Sequence, residues 1–182
     1  MANSPPASWS AAQRWLHWLV AFGVLFDFAL SWVMTRVGDN QALLKFALYQ
    51  VHKNVGVFVL AAVLARLVML ACRGRPDLPA DLSAMNKRLA LIGHATLYAL
   101  LVIVPVLGYL TNSTSPSRIP VLFLLAIPVP NLTPPSEAWY DLLVQLHRLT
   151  AIALFLTALA HALIAVIHHR RGSPILRHMW RG

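Results

Sequence analysis

The chain has 182 residues, of which 58% are hydrophobic and only 12% are charged. Soluble domains carry about 25% charged residues, so this composition indicates an integral membrane protein with a single domain over 1–182. The formal net charge of +9 does not indicate nucleic-acid binding, because no basic stretch is interleaved with aromatic residues; on a membrane protein such charge fixes topology and binds anionic lipid headgroups.

Four long apolar stretches predict four transmembrane helices. The first runs over about 10–34, and His17 and Asp27 within it argue against a cleavable signal peptide. Each stretch is long enough to cross a hydrocarbon core of about 30 Å. The predicted fold is therefore an all-α membrane protein, a four-transmembrane-helix bundle, whose remaining helices cover about 46–72, 89–112 and 139–169.

The segments between the helices are predicted to lie outside the hydrocarbon core. The stretch over 73–88 is charged and broken by prolines. The connection over 113–138 contains six prolines and the apolar piece VLFLLAI, which is too short to span and is expected at the membrane interface. Within the third helix, Pro105 is expected to cause a kink.

The distribution of lysine and arginine predicts the orientation, because an even number of helices puts both termini on one side. The side with the termini and the 73–88 segment has nine: Arg14, Arg73, Arg75, Lys87, Arg88, Arg170, Arg171, Arg177 and Arg181. The opposite side has five: Arg36, Lys45, Lys53, Arg118 and Arg148. By the positive-inside rule, both termini are predicted to be cytoplasmic.

Four histidines fall at matching depths in the predicted bundle. In the last helix, His147 and His161 are fourteen residues apart, which places them on one face with a rise of about 21 Å between them. Helix direction places His52 near the outer level of His147. It places His17 near the inner level of His161.

Two facing imidazoles can ligate a six-coordinate haem iron, so the matched depths predict two bis-histidine b-type haems. With Cys72 as the single cysteine, a C-x-x-C-H haem attachment and a four-cysteine iron–sulfur site are both excluded. The alternative is that each histidine packs alone against a neighbouring helix. Ionisable groups inside a membrane usually have a functional reason, which favours the haem interpretation.

The sequence resembles the bacterial cytochrome b561 family of small di-haem membrane proteins. The resemblance covers RWLHWLVA, VHKNVGVFVLAAVLARL, GHATLYALLVIVPVLGYL and LHRLTAIALFLTALAHALIAVIHH, which together represent nearly the whole chain. It implies haem ligands on the first, second and fourth helices, which fall here on His17, His52, His147 and His161. It also implies a location in the bacterial inner membrane.

Further residues are candidates for contacts with a quinone or with haem propionates. His168 could hydrogen-bond a quinone in a pocket walled by Trp18, or could simply be an interfacial histidine. His94 could contact a propionate or quinone, or could cap the third helix. Arg66, a charge inside the second helix, is predicted to pair with a propionate, with snorkelling as the alternative.

Three further charged residues are candidates for a functional role. Lys53 and Arg148 directly follow the predicted outer ligands and could pair with propionates or attract an anion. Asp27, in the middle of the first helix, is not a feature that the resemblance to this family implies. It could be protonated, pair with a buried cation or relay protons.

The resemblance implies transmembrane electron transfer, and some members of the family oxidise superoxide. The favoured function is therefore a superoxide oxidase that passes electrons through two haems to ubiquinone, with the haems as the redox groups. The first alternative is a cytochrome b subunit that exchanges electrons between quinone and a dehydrogenase or another redox partner protein. The second is a transporter in which the histidines bind a transition metal.

Overall fold

The structure, a computed structural model, describes residues 8–76, 82–173 and 175–180. Four of its helices are long and apolar enough to cross a membrane, as predicted. Within the described residues a short 3-10 helix, Asp39–Gln41, precedes the second of them, and a two-stranded sheet lies between the third and fourth. The α-helices are α1 Ala11–Met34, α2 Ala42–Arg73, α3 Ala84–Thr114, α4 Glu137–Arg170 and α5 Ile175–Trp180.

Serine residues cap the N-termini of three of the long helices. Ser10 forms a capping box with Gln13, and Ser83 and Ser136 accept hydrogen bonds from backbone N–H groups in the first turns of α3 and α4. These caps satisfy donors that have no partner within the helix. At the end of α2, Gly74 has a φ of 70°, a left-handed value that favours glycine.

Three of the four long helices extend beyond the predicted bounds, whereas α1 agrees with its prediction to one residue. α2 begins at Ala42 instead of 46, and α3 begins at Ala84 instead of 89. The hydrophobic pattern marks only the apolar part of each helix, whereas the caps extend it into polar residues. Because Ser83 caps α3, His94 lies well inside that helix, and the capping role considered for it is wrong. Part of the 73–88 segment, 77–81, lies outside the described residues.

The apolar VLFLLAI piece belongs to a β-hairpin that the sequence analysis did not predict. Strand β1, Val121–Phe123, pairs antiparallel with β2, Ile127–Val129. In the turn, Leu124 and Leu125 have φ values of 52° and 61°. Turns of this kind usually carry glycine or asparagine, so two leucines gave no signal.

Two side-chain amides of α2 hold this hairpin in place. Gln50 donates to the Pro120 carbonyl at 3.0 Å and accepts from the Leu122 N–H at 2.9 Å. Asn54, one turn further along, donates to the Leu122 carbonyl and accepts from the Leu124 N–H, both at 2.8 Å. The two amides therefore occupy the free edge of β1 as a neighbouring strand would.

The long helices pack unevenly around the bundle. α3 packs extensively along α4, and α1 packs extensively along α2. In contrast, α1 has few contacts with α4, and α2 has still fewer contacts with α4. We call the end with the start of α1 and the end of α4 the termini end, and the opposite end the hairpin end. The α1–α2 layer and α4 are therefore not closely packed against each other. The four paired histidines lie along the boundary between them.

Candidate haem sites

The histidines at the hairpin end come from α2 and α4. The ring centres of His52 and His147 are 6.1 Å apart, with an angle of 81° between the ring planes. Both residues are half-buried. The two helices make hardly any other contact, so these imidazoles face each other across a gap.

A second histidine pair lies at the termini end. His17 of α1 and His161 of α4 have ring centres 6.3 Å apart, with an angle of 72° between the planes. The fourteen residues that separate His147 from His161 on α4 correspond to a rise of about 21 Å. The structure therefore brings the four histidines together in the two pairs that helix direction predicted.

The spacing within each pair suits two axial ligands of one metal. A bond from a first-row metal to an imidazole nitrogen is about 2.0–2.1 Å, and the ring centre lies about 1.1 Å beyond, so two axial rings have centres about 6.2–6.4 Å apart. The observed 6.1 and 6.3 Å agree with this value. A direct hydrogen bond or face-to-face stacking would require a closer approach, whereas an edge-to-face contact of the two rings also falls in this range.

The donor set also favours a metal that brings its own equatorial ligands. Among the described residues, histidine, cysteine and carboxylate side chains form no group of three or more that could hold a metal ion. A bare transition-metal ion usually takes three or four protein ligands. Two facing histidines are enough for haem, in which the porphyrin supplies four nitrogens.

His147 is fixed by α3, the helix packed along α4. Its Nδ1 lies 3.0 Å from the Val104 carbonyl oxygen, and an Nδ1–H that donates there leaves Nε2 free to bind a metal. Opposite the ring, Gly108 has no side chain, and an added Cβ would come within 3.0 Å of His147 Cε1. Gly108 therefore makes room for the imidazole.

A Gly108→Ala substitution tests this contact. The added methyl group should push the His147 ring away from its position, so we expect a lower content of the haem at the hairpin end. Haem quantitation and the reduced-minus-oxidised spectrum measure this effect. Gly93→Ala is the matched control, because a Cβ there meets nothing within 4 Å. Full haem content in both variants would contradict the positioning role of Gly108.

The Nδ1 atom of His52 has a different neighbour. It lies 2.9 Å from Oδ1 of Asp27 on α1, although the alignment falls short of a hydrogen bond. Neither atom has any other partner among the described residues. A buried cation was one expected partner of Asp27, but the contact with His52 was not predicted from the sequence.

Comparison with known proteins assigns the family. The family model of prokaryotic cytochrome b561 matches residues 8–182. The chain belongs to this family. It is also 28% identical over 179 residues to cytochrome b561 homolog 1 of Escherichia coli (strain K12), an alignment that covers 94% of this chain and 97% of the relative.

Family membership confirms the coarse functional prediction. The protein is a multi-pass membrane protein of an electron-transfer family that binds b-type haem. The described histidine pairs fit that cofactor in spacing and in donor type. His17, His161, His52 and His147 are thus the candidates for holding it.

Arg66 has protein partners that the sequence analysis did not identify. Its guanidinium donates to the Gln13 backbone carbonyl at 3.1 Å and to the Tyr98 hydroxyl at 3.4 Å. Neither partner carries a charge, and among the described residues Arg66 forms no salt bridge. The side chain is thereby held on α2 near the termini end, and a propionate partner stays a prediction.

His94 lies beside the histidine pair at the termini end. Its ring centre is 5.3 Å from that of His161, about 1 Å less than two axial rings on one metal require. This spacing favours His17 over His94 as the partner of His161. The interaction of His94 with a propionate or quinone stays a prediction.

The aromatic residues at the termini end form a wall beside α5. Trp18 donates from Nε1 to the Met179 carbonyl at 3.0 Å, and its ring stacks on Trp180 with centres 4.6 Å apart. Next to them is an open cleft of about 780 Å³ whose lining includes Trp180 and His169. His168, the predicted quinone ligand, is half-buried one residue away and is not among the residues that line the cleft.

The cations at the hairpin end differ in their partners. Lys45 pairs with Asp39 at 2.7 Å, Arg36 stacks on Trp32, and Arg118 donates to the Thr133 carbonyl. Lys53 and Arg148 form no salt bridge among the described residues. Neutral partners leave Arg36 and Arg118 charged, so these arginines can add to the field, while Lys53 and Arg148 are the candidates for attracting an anion because they directly follow His52 and His147.

Proposed function

We propose that the protein is a di-haem superoxide oxidase, a single cytochrome b561 domain over 1–182 that transfers electrons across the membrane to ubiquinone. The observation that carries this proposal is the presence of two histidine pairs at two levels of α4. Their ring centres are 6.1 and 6.3 Å apart. One pair would hold one haem b near each end of the bundle. Two levels about 21 Å apart along a helix suit electron transfer across the membrane better than a single binding site.

When bound, the haems would supply one-electron chemistry: two superoxide ions release two molecules of oxygen, and the two electrons with two protons convert ubiquinone to ubiquinol. The protein supplies the ligands, the electrostatic field and the separation of the two substrates. Superoxide is a small anion, and Lys53 and Arg148 flank the histidine pair at the hairpin end in sequence. Their field would raise the rate of its encounter with that end.

The quinone would bind at the termini end. The cleft beside α5 combines an aromatic wall, from Trp180 stacked on Trp18, with the imidazole of His169. A flat quinone ring fits between aromatic groups, and an imidazole can hydrogen-bond its carbonyl oxygen. His168 and His94 are the further polar groups that we propose near this substrate.

The orientation that this function requires agrees with the charge distribution. We propose an inner-membrane location in which the termini end faces the cytoplasm, because that side carries more lysine and arginine. The hairpin end would then face the periplasm, where superoxide would arrive. Ordinary lipid contacts would cover the apolar outer surfaces of the four spanning helices.

The rate of reduction by superoxide tests the proposal. The purified protein in detergent, mixed with enzymatically generated superoxide, is expected to show rapid haem reduction that superoxide dismutase abolishes. Slow reduction by superoxide, together with fast reduction by a co-purifying dehydrogenase, would instead identify a cytochrome b subunit that serves a redox partner protein.

A further inference from the structure

We propose that Asp27 is a positioning residue for His52 and makes the haem at the hairpin end the harder of the two to reduce. The inference rests on the proposed di-haem function and adds to it a direction for electron flow. Its basis is the approach of Asp27 Oδ1 to His52 Nδ1 at 2.9 Å.

The packing of α1 against α2 produces this contact. Gly23 lies one turn before Asp27, and a Cβ added there would come within 2.8 Å of Val59 Cγ2. The two helices can therefore approach closely at this point, which brings the short aspartate side chain to the imidazole. The side chains of Asp27 and His52 are both largely shielded, at 18% and 19% exposure.

Asp27 has no other evident role in the described structure. It forms no salt bridge with lysine or arginine there, and the other described acidic residues, Asp39, Glu137 and Asp141, lie at helix ends. A carboxylate in the middle of a membrane helix is costly unless it has a partner. The imidazole of His52 is the partner that the fold provides.

A carboxylate at Nδ1 affects the ligand in two ways. A negative charge 2.9 Å from Nδ1 favours the tautomer with a proton on that nitrogen, which leaves Nε2 available to the metal, and it increases the basicity of Nε2. A more basic ligand and a nearby negative charge both favour the ferric over the ferrous state. The reduction potential of the haem at the hairpin end is therefore lowered.

The other ligands lack this feature. His147 Nδ1 faces a neutral backbone carbonyl, and within the described chain neither His17 nor His161 has a carboxylate within salt-bridge distance. At the termini end, cationic Arg66 is held by the backbone carbonyl of Gln13, one turn before His17 on α1, and by the Tyr98 hydroxyl. A cation favours the ferrous state, so Arg66 and Asp27 shift the two potentials in opposite directions. Lys53 and Arg148 follow the hairpin-end histidines in sequence and act against Asp27, but Asp27 is the charge that lies 2.9 Å from a ligand ring, and its effect sends electrons from the hairpin end to the termini end.

The test is a potentiometric titration of the full-length, haem-loaded protein with Asp27→Asn, a substitution that keeps the shape of the side chain but removes its charge. We expect a rise in the potential of one haem that corresponds to at least a tenfold change in its reduction equilibrium, which is about 59 mV for one electron. Ser31→Ala, one turn further along α1, is the control and should move neither potential.

Single-haem backgrounds assign the effect. With His161→Ala, which should leave only the hairpin-end haem, Asp27→Asn should raise the remaining potential; with His147→Ala it should leave the remaining potential unchanged. If Asp27→Asn instead loses the hairpin-end haem, Asp27→Glu should restore it, because the carboxylate is retained. Failure of that rescue, or unchanged potentials with both haems present, would overturn the role of Asp27. A wild-type protein without haem would overturn the proposed function itself.

Discussion

Replacing His161 with alanine is expected to remove one of the two haems and leave the other in place. His161 faces His17 at a ring-centre distance of 6.3 Å, and no other histidine in the described chain stands at that spacing from it. An alanine cannot ligate iron, so the termini-end site loses an axial bond and the affinity for haem falls sharply. The hairpin-end pair, about 21 Å away along α4, should be unaffected.

Haem quantitation and the amplitude of the reduced-minus-oxidised α band measure this loss, with about half of the wild-type haem expected. His94→Ala is a demanding control, because the His94 ring lies 5.3 Å from His161 and yet is not assigned as a ligand. It should retain both haems. Haem loss in His94→Ala with retention in His17→Ala would show that His94 is the true partner.

Replacing His147 with alanine is expected to abolish reduction by superoxide while leaving a haem that dithionite reduces. His147 and His52 form the pair at the hairpin end, where the cations Lys53 and Arg148 follow them in sequence. Without that haem, the remaining redox group lies at the far end of the bundle. Electron transfer from superoxide over this longer distance should be slower by orders of magnitude.

Stopped-flow mixing with superoxide, followed by dithionite, separates the two effects. Thr150→Ala is the matched control on α4, since the Thr150 hydroxyl bonds only to backbone carbonyls of its own helix. It should keep the wild-type rate. A His147→Ala variant that is still reduced rapidly by superoxide would place the site of oxidation at the termini end.

The pairing of the histidines followed from the sequence because it depends on few variables. Helix direction alternates along the chain and the rise per residue is fixed, so the depth of each histidine follows. At the inner level His94 was a further histidine, and its ring spacing of 5.3 Å from His161 favours His17 as the partner. The pairing of His52 on α2 with His147 on α4 could therefore be predicted without information on side-chain packing. The errors of several residues in the start of α2 and α3 did not alter their depths.

The contacts that surround these histidines could not be predicted in the same way. The approach of Asp27 to His52 depends on the close packing of α1 on α2 at Gly23, and the position of His147 depends on space left by Gly108. Both contacts depend on tertiary packing, which helical periodicity does not predict. A mid-membrane aspartate was the one available signal for the first.

The hairpin was not predicted, and the main reason is local. Its turn places Leu124 and Leu125 in the left-handed region, where glycine or asparagine is usual. Its edge is bonded by Gln50 and Asn54, whose polar side chains within an apolar helix were the sequence signal that was overlooked. Buried amides of this kind require hydrogen-bond partners, and the backbone of β1 provides them.

The measurement that most directly tests the central claim is a dithionite-reduced minus oxidised spectrum of the purified protein, combined with haem quantitation per chain. Two histidine pairs at axial-ligand spacing predict two b-type haems for each polypeptide. A stoichiometry of two, with α bands of b-type haem, is the expected result. A fully loaded protein with a single haem would contradict the assignment of one pair, and a protein with no haem at all would contradict both.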